Sequence, residues 1–100
     1  MPVHQHGIRA MLDWSFNLLS PELQVLFCRL SVFPGSFTIT QAETLHAIED
    51  VQVGLMSLVD HSLIRQEVGK DGEPCFQMLD MTREYARERC NFLGPVKERL

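Results

Sequence analysis

Leu23, Leu26, Phe27 and Leu30 recur at i, i+3, i+4 and i+7, the spacing that places four apolar side chains on one face of an α-helix. Ser20-Pro21 precedes them. Ser20 suits the N-cap and Pro21 the first helical position, where its missing N–H costs no hydrogen bond. This helix is expected to end near Phe33, before the turn-forming residues Pro34-Gly35-Ser36. Upstream, Ile8, Met11, Leu12, Phe16 and Leu19 form another helical stripe over residues 7–19. Trp14 and Leu18 widen that stripe, which predicts a helix buried on more than one side. Thr38 with Gln41, and Thr40 with Glu43, both fit a capping box. A third, short helix containing Ala42, Leu45 and Ile48 therefore starts at one of them. Asp50 caps a fourth helix whose core stripe is Val51, Leu55, Leu58 and Val59 and which fades near Ser62.

The pattern then changes. Residues 63–68 and 75–79 read as two strands joined by Gly69-Lys70-Asp71-Gly72-Glu73, and the Asp-Gly pair marks a β-hairpin. Asp80 or Thr82 caps a last helix over residues 81–90, which Gly94-Pro95 breaks. Residues 96–100 read as the start of a further helix. A helix pair followed by a hairpin describes a winged helix: mainly α, with a helix-turn-helix and a β-hairpin wing. A lone hairpin is marginally stable, so it must pack on the helices. Phe76 and Met78 share one strand face and are the expected anchors. The expected organisation is a flexible segment over 1–7, the winged helix over 8–91, and a linker with the start of a following helix over 92–100.

Composition adds boundaries. The chain has 100 residues, 45% hydrophobic and 22% charged, with six glycines and five prolines. Those are ordinary globular values and exclude a disordered, collagenous or coiled-coil chain. Three cysteines, Cys28, Cys75 and Cys90, are an odd set without CxxC spacing, which points to reduced thiols. No apolar run reaches the length of a membrane span. The first residues carry neither the basic nor the apolar region of a signal peptide, so a cytoplasmic protein is expected. His4, His6, His46 and His61 have no metal-ligand spacing, and neither a phosphate loop nor a nucleophile with its base is present. The domain is therefore expected to hold no cofactor or metal and to catalyse nothing alone.

A net charge of −4 gives no general attraction to nucleic acid or anionic lipid. A winged helix that reads DNA needs Lys or Arg near its recognition helix to meet phosphates. The fourth helix has none. Its polar groups are Gln52, Ser57, Asp60 and His61, with Glu49 and Asp50 just ahead. Arg65 and Lys70 in the wing are the nearby cations. Duplex binding by this helix is therefore not expected. Val53 and Met56 on the same helix read either as scattered surface apolar residues or a broad core stripe, or as a face that packs on a neighbouring domain. The charge-dense run Arg83-Glu84-Tyr85-Ala86-Arg87-Glu88-Arg89 reads as a solvated helix face with Tyr85 and Ala86 turned inward, or as a docking face. The possible interdomain face is thus Gln52, Val53, Met56 and Asp60 with Arg83 and Arg87.

Several blocks carry a family resemblance. Leu12-Asp13-Trp14-Ser15-Phe16, Leu18-Leu19-Ser20-Pro21-Glu22 and Leu30-Ser31-Val32-Phe33-Pro34-Gly35-Ser36-Phe37-Thr38 resemble the winged-helix segment of bacterial STAND-type ATPases. That group includes large LuxR-type and AfsR-type transcriptional regulators. Leu58-Val59-Asp60-His61-Ser62-Leu63-Ile64 and the run from Arg83 continue the match, so the resemblance covers roughly residues 8–90 in order. It implies a domain that follows an NB-ARC nucleotide-binding core, precedes helical repeats, and packs on the core to hold it off. ATP or ADP would belong to the parent protein, and the partners would be its own nucleotide-binding domain and repeats. Met78-Leu79-Asp80 is similar to the family's MHD motif, whose histidine contacts a nucleotide phosphate. Leu79 stands at that position and cannot donate a hydrogen bond. The alternative is a DNA-binding winged-helix domain of a transcription factor.

Overall fold

A computed structural model of the chain describes residues 3–93 apart from His46. Residues 94–100, where the Gly94-Pro95 break and a following helix are expected, lie outside the described residues, as does His46. Among the described residues five helices run in the order α1 (Val3–Leu18), α2 (Pro21–Leu30), α3 (Ile39–Glu43), α4 (Val51–Asp60) and α5 (Asp80–Leu93). Three strands, β1 (Phe37–Thr38), β2 (Arg65–Val68) and β3 (Pro74–Gln77), form one antiparallel sheet in the order β1-β3-β2. This is a winged helix, with α3 and α4 as the helix pair and β2-β3 as the wing.

The caps act as the sequence predicts at three helices. The Ser20 side chain accepts from the Leu23 amide at 3.3 Å, with Pro21 at the first helical position. Of the two candidate capping boxes, the Thr38 one forms. Its hydroxyl accepts from the Gln41 amide at 3.1 Å, and the Gln41 side chain accepts from the Thr38 amide at 2.9 Å. Asp50 accepts from the Val53 amide at 3.2 Å. Thr38→Ala is expected to cost about 1 kcal/mol, the usual value of an N-cap. Thr40→Ala, which leaves the box intact, stays within about 0.5 kcal/mol. Urea denaturation of both variants separates the two boxes.

Other boundaries differ. The first helix begins at Val3, ahead of the expected start at Gly7. The third ends at Glu43, so Leu45 and Ile48 lie beyond it, half-buried against the core. α5 begins at Asp80, and its first intrahelical bond is accepted by the Leu79 carbonyl, from Arg83 N at 2.8 Å. Neither Asp80 nor Thr82 is therefore its N-cap. β1 adds a third strand to the expected hairpin by pairing Phe37 with Phe76 and Thr38 with Cys75.

The core gathers between α2, α5 and the sheet. Phe16, Phe27 and Tyr85 pack edge to face or tilted with centroids 5.8–6.4 Å apart. Phe33, Phe37 and Phe76 make a second stack, at 5.0 and 6.2 Å. Phe76 and Met78 are both buried and anchor the wing to the helices. Tyr85 donates its hydroxyl to Asp13, and burial with that bond raises its pKa above the ordinary phenol value. α1 meets the core through Leu12 and Phe16, and Leu19 follows them in just past its end. Met11, Trp14 and Leu18 face outward, and Trp14 is 68% exposed. The expectation of burial on more than one side is corrected: α1 packs along α5, and its second apolar side, with Met11, Trp14 and Leu18, stays exposed among the described residues.

Gly54 lets α4 approach α2. A Cβ there would stand 2.5 Å from Ile48 Cδ1 and 2.8 Å from Leu26 Cδ2. α4 ends in a Schellman motif: Ser62 bonds to the Val59 carbonyl and Leu63 to that of Leu58. Ser62 takes the left-handed φ of 61° that glycine usually supplies there. The reversal sends Leu63 and Ile64 into the core before the wing begins.

Candidate interaction surface

α4 turns Val51, Gly54, Leu55 and Leu58 inward. Helical geometry then forces Gln52, Val53, Met56 and Asp60 onto the opposite side, where all four are exposed. Val53 is 63% and Met56 40% exposed. Two adjoining grooves border this face. One, of about 390 Å³, runs between α2 and α4 and is lined by Ser20, Glu22, Leu23 and residues 48–50 together with Val53, Gly54 and Ser57. The other, of about 430 Å³, lies along α4 itself and extends to Asp60. They share Asp50, Val53 and Ser57. Among the described residues no Lys or Arg lines either groove, whereas Glu22, Glu49, Asp50 and Asp60 do.

Arg83 stands elsewhere and does a different job. It is buried, and its guanidinium spreads over three acceptors: Nε to the Phe33 carbonyl at 3.0 Å, Nη2 to the Met78 carbonyl at 2.9 Å, and Nη1 to Asp80 Oδ1 at 2.7 Å. The place of Arg83 in an interdomain face is thus corrected: its donors are spent tying α5 to the α2–β1 connection and to the end of β3. Arg87 is exposed and donates to the Ser31 carbonyl at 3.2 Å, past the C-terminal end of α2. The α4 grooves adjoin the other end of α2, about 15 Å away at 1.5 Å rise per residue. The α4 residues therefore form one surface, and Arg87 lies outside it.

The Met78-Leu79-Asp80 turn joins β3 to α5. Met78 is buried, Leu79 is half exposed, and the Asp80 side chain is 98% exposed. The Arg83 guanidinium fixes the turn from inside, a long-range tie that the reading of the charged run as a solvated face passes over. Glu22 also escapes a motif reading, because only the approach of α2 and α4 brings it to the groove that Glu49 lines.

The wing carries Arg65 and Lys70 against Glu67, Asp71 and Glu73, two cations and three acids, all exposed. Cys28 on α2 and Cys90 on α5 are free thiols. The neighbouring Cys90 thiol and burial push the Cys28 pKa up, while the Cys28 thiol lowers that of Cys90 to about 7. Among the described residues no three His, Cys, Asp or Glu side chains group as a metal site, and no helix is long and apolar enough to cross a membrane.

The sequence is 35% identical over 97 residues to proteins called "Putative HTH-type transcriptional regulator" in Mycobacterium tuberculosis and Mycobacterium bovis. The match covers 90% of this chain and 11% of each relative, so the chain spans about a tenth of the length of these curated relatives. No solved structure matches it. The family described as the winged helix-turn-helix domain matches residues 19–91, from the end of α1 through the wing to α5. With the helix pair, the three-stranded sheet and the wing in that order, the chain belongs to the winged helix-turn-helix domain family.

Proposed function

We propose that this chain is the winged-helix module of a larger transcriptional regulator and that it works by packing on a neighbouring domain of the same protein. The relatives' names support the regulatory setting. The exposed face of α4 carries the mode of action. In a winged helix that reads DNA this helix enters the major groove, and its flanks meet phosphates through Lys and Arg. Here the face offers Val53 and Met56, and acids border it. Such a surface repels a duplex bearing one charge per ~1.7 Å of axis, and it suits protein. The module catalyses nothing itself and acts in the cytoplasm.

The resemblance to STAND-type ATPases supplies the finer reading. The neighbour is a nucleotide-binding core, covered by this domain in the resting state, and ATP or ADP is bound there. The domain moves as a rigid body on activation, a two-state switch. The Met78-Leu79-Asp80 turn faces the nucleotide, where Leu79 supplies apolar packing in place of a hydrogen bond. Helical repeats follow.

A second reading, DNA binding by this domain, is favoured by the relatives' description as HTH-type regulators. In that case Arg65 and Lys70 of the wing supply the phosphate contacts. A titration of the 100-residue chain against random and promoter-like duplexes at physiological salt, about 0.15 M, decides. The expected result is no binding tighter than about 1 µM, the tight end of non-specific affinity. Sub-micromolar binding that falls on replacing Arg65 and Lys70 with alanine would establish the second reading instead.

A further inference from the structure

We infer that the α4 face is a docking site for a basic amphipathic helix. The inference rests on the reading that this domain works by packing on protein, and it names the chemistry of what it packs on. Val53 and Met56 stand at i, i+3, so they form a short apolar ridge along α4. Charge flanks the ridge at both ends: Glu49 and Asp50 at the N-terminus of α4, Asp60 at the C-terminus, and Glu22 across the groove from α2. Asp50 is occupied as the cap of α4. Glu22, Glu49 and Asp60 form no ion pair among the described residues.

The distribution selects the occupant. From Asp50 to Asp60 the helix rises about 15 Å, at 1.5 Å per residue. A helix lying along α4 would meet the two acidic ends with Lys or Arg placed about ten residues apart, and the ridge with apolar side chains between them. An apolar centre with a charged rim is the usual anatomy of a protein interface. A second copy of this chain fits poorly, because a two-fold contact through this face would set Asp60 and Glu49 against their own acidic equivalents. A nucleic acid or an anionic lipid surface meets the same repulsion.

The probe is a 14-residue amphipathic Lys/Leu peptide, with a Glu/Leu peptide of equal length as its counterpart, titrated into the 100-residue chain by fluorescence anisotropy. The Lys/Leu peptide is expected to bind and the Glu/Leu peptide not to. Glu49→Lys with Asp60→Lys should weaken binding at least about tenfold, through loss of direct charge contacts. Val53→Ser with Met56→Ser should weaken it similarly by removing the ridge. Glu67→Lys with Glu84→Lys makes the same change in net charge at exposed positions outside both grooves. That pair should leave affinity within about threefold, since rim charges far from a contact act weakly. Circular dichroism verifies that each variant is folded. Failure of the Lys/Leu peptide to bind, or an equal loss in both charge-reversal pairs, overturns the inference. The duplex titration fails independently. A chain that ignores both DNA and the basic peptide keeps the packing function and loses this occupant, whereas tight duplex binding removes the packing function itself.

Discussion

Phe27→Ala is expected to remove a large part of the stability of this domain. Phe27 is fully buried, and its ring lies 5.8 Å from Phe16 and 6.4 Å from Tyr85. Those two side chains come from α1 and α5, so one residue on α2 joins three helices. Truncating a buried phenylalanine costs about 3–5 kcal/mol, the sum of lost transfer energy and the cavity left behind. A domain of this size has a total of about 5–15 kcal/mol. Each kcal/mol lowers the melting temperature by about 4–8 °C at this length, so a fall of at least about 12 °C is expected. Trp14→Ala is the control. It removes a larger side chain, but from the outer side of α1, and surface changes of this kind stay within about 0.5 kcal/mol. A thermal melt in which the two variants fall equally would mean that α1 is turned the other way on α5.

The contrast between Phe27 and Trp14 also shows what the sequence could carry. Where periodicity and a cap agree, as in Ser20-Pro21 with the α2 stripe or Asp50 with the α4 stripe, the element and its buried face were legible. The inward stripe of α4 puts Gln52 and Asp60 on the outward side, while Val53 and Met56 read equally as a widened core stripe until the packing left them exposed. α1 was different. Its apolar residues nearly encircle the helix, and a pattern of that kind does not say on which side a neighbour lies. β1 escaped because two residues have no period. Phe37 becomes strand only through its pairing with Phe76, far along the chain. The grooves beside α4 were half legible: Glu49 and Asp50 are local, while Glu22 arrives through tertiary packing. Arg83 was the plainest miss. A cation in a run of charges reads as solvated, and its acceptors at Phe33 and Met78 are backbone carbonyls that no side-chain pattern announces.

That miss leads to the second large effect. Arg83→Met keeps the aliphatic stem and removes the donors to three acceptors. The Met78 carbonyl, whose residue is buried, and the Phe33 carbonyl on the α2–β1 connection lose their partner. A buried acceptor left unsatisfied costs about 1–3 kcal/mol; the Met78 carbonyl bears that cost and the half-buried Phe33 carbonyl about 1 kcal/mol, so a loss of about 2–4 kcal/mol is expected for the pair. The ion pair with Asp80 adds little, because the Asp80 side chain is 98% exposed and solvent screens it. Asp80→Ala is accordingly expected to fall within about 1 kcal/mol of the wild type, and it removes no N-cap. Arg83→Lys keeps the charge but replaces the planar fork with a point donor, and should lie between the two. Raising salt to 1 M shortens the Debye length to about 3 Å, yet the Arg83→Met deficit should persist, since it resides in neutral carbonyls. Amide exchange adds a local readout: protection of the Arg83 amide, which bonds to the Leu79 carbonyl, should drop in Arg83→Met before α2 is affected. If Asp80→Ala proves as damaging as Arg83→Met, or if salt erases the difference, the ion pair holds the β3–α5 turn. The clasp on the two carbonyls would then be geometry without energetic weight.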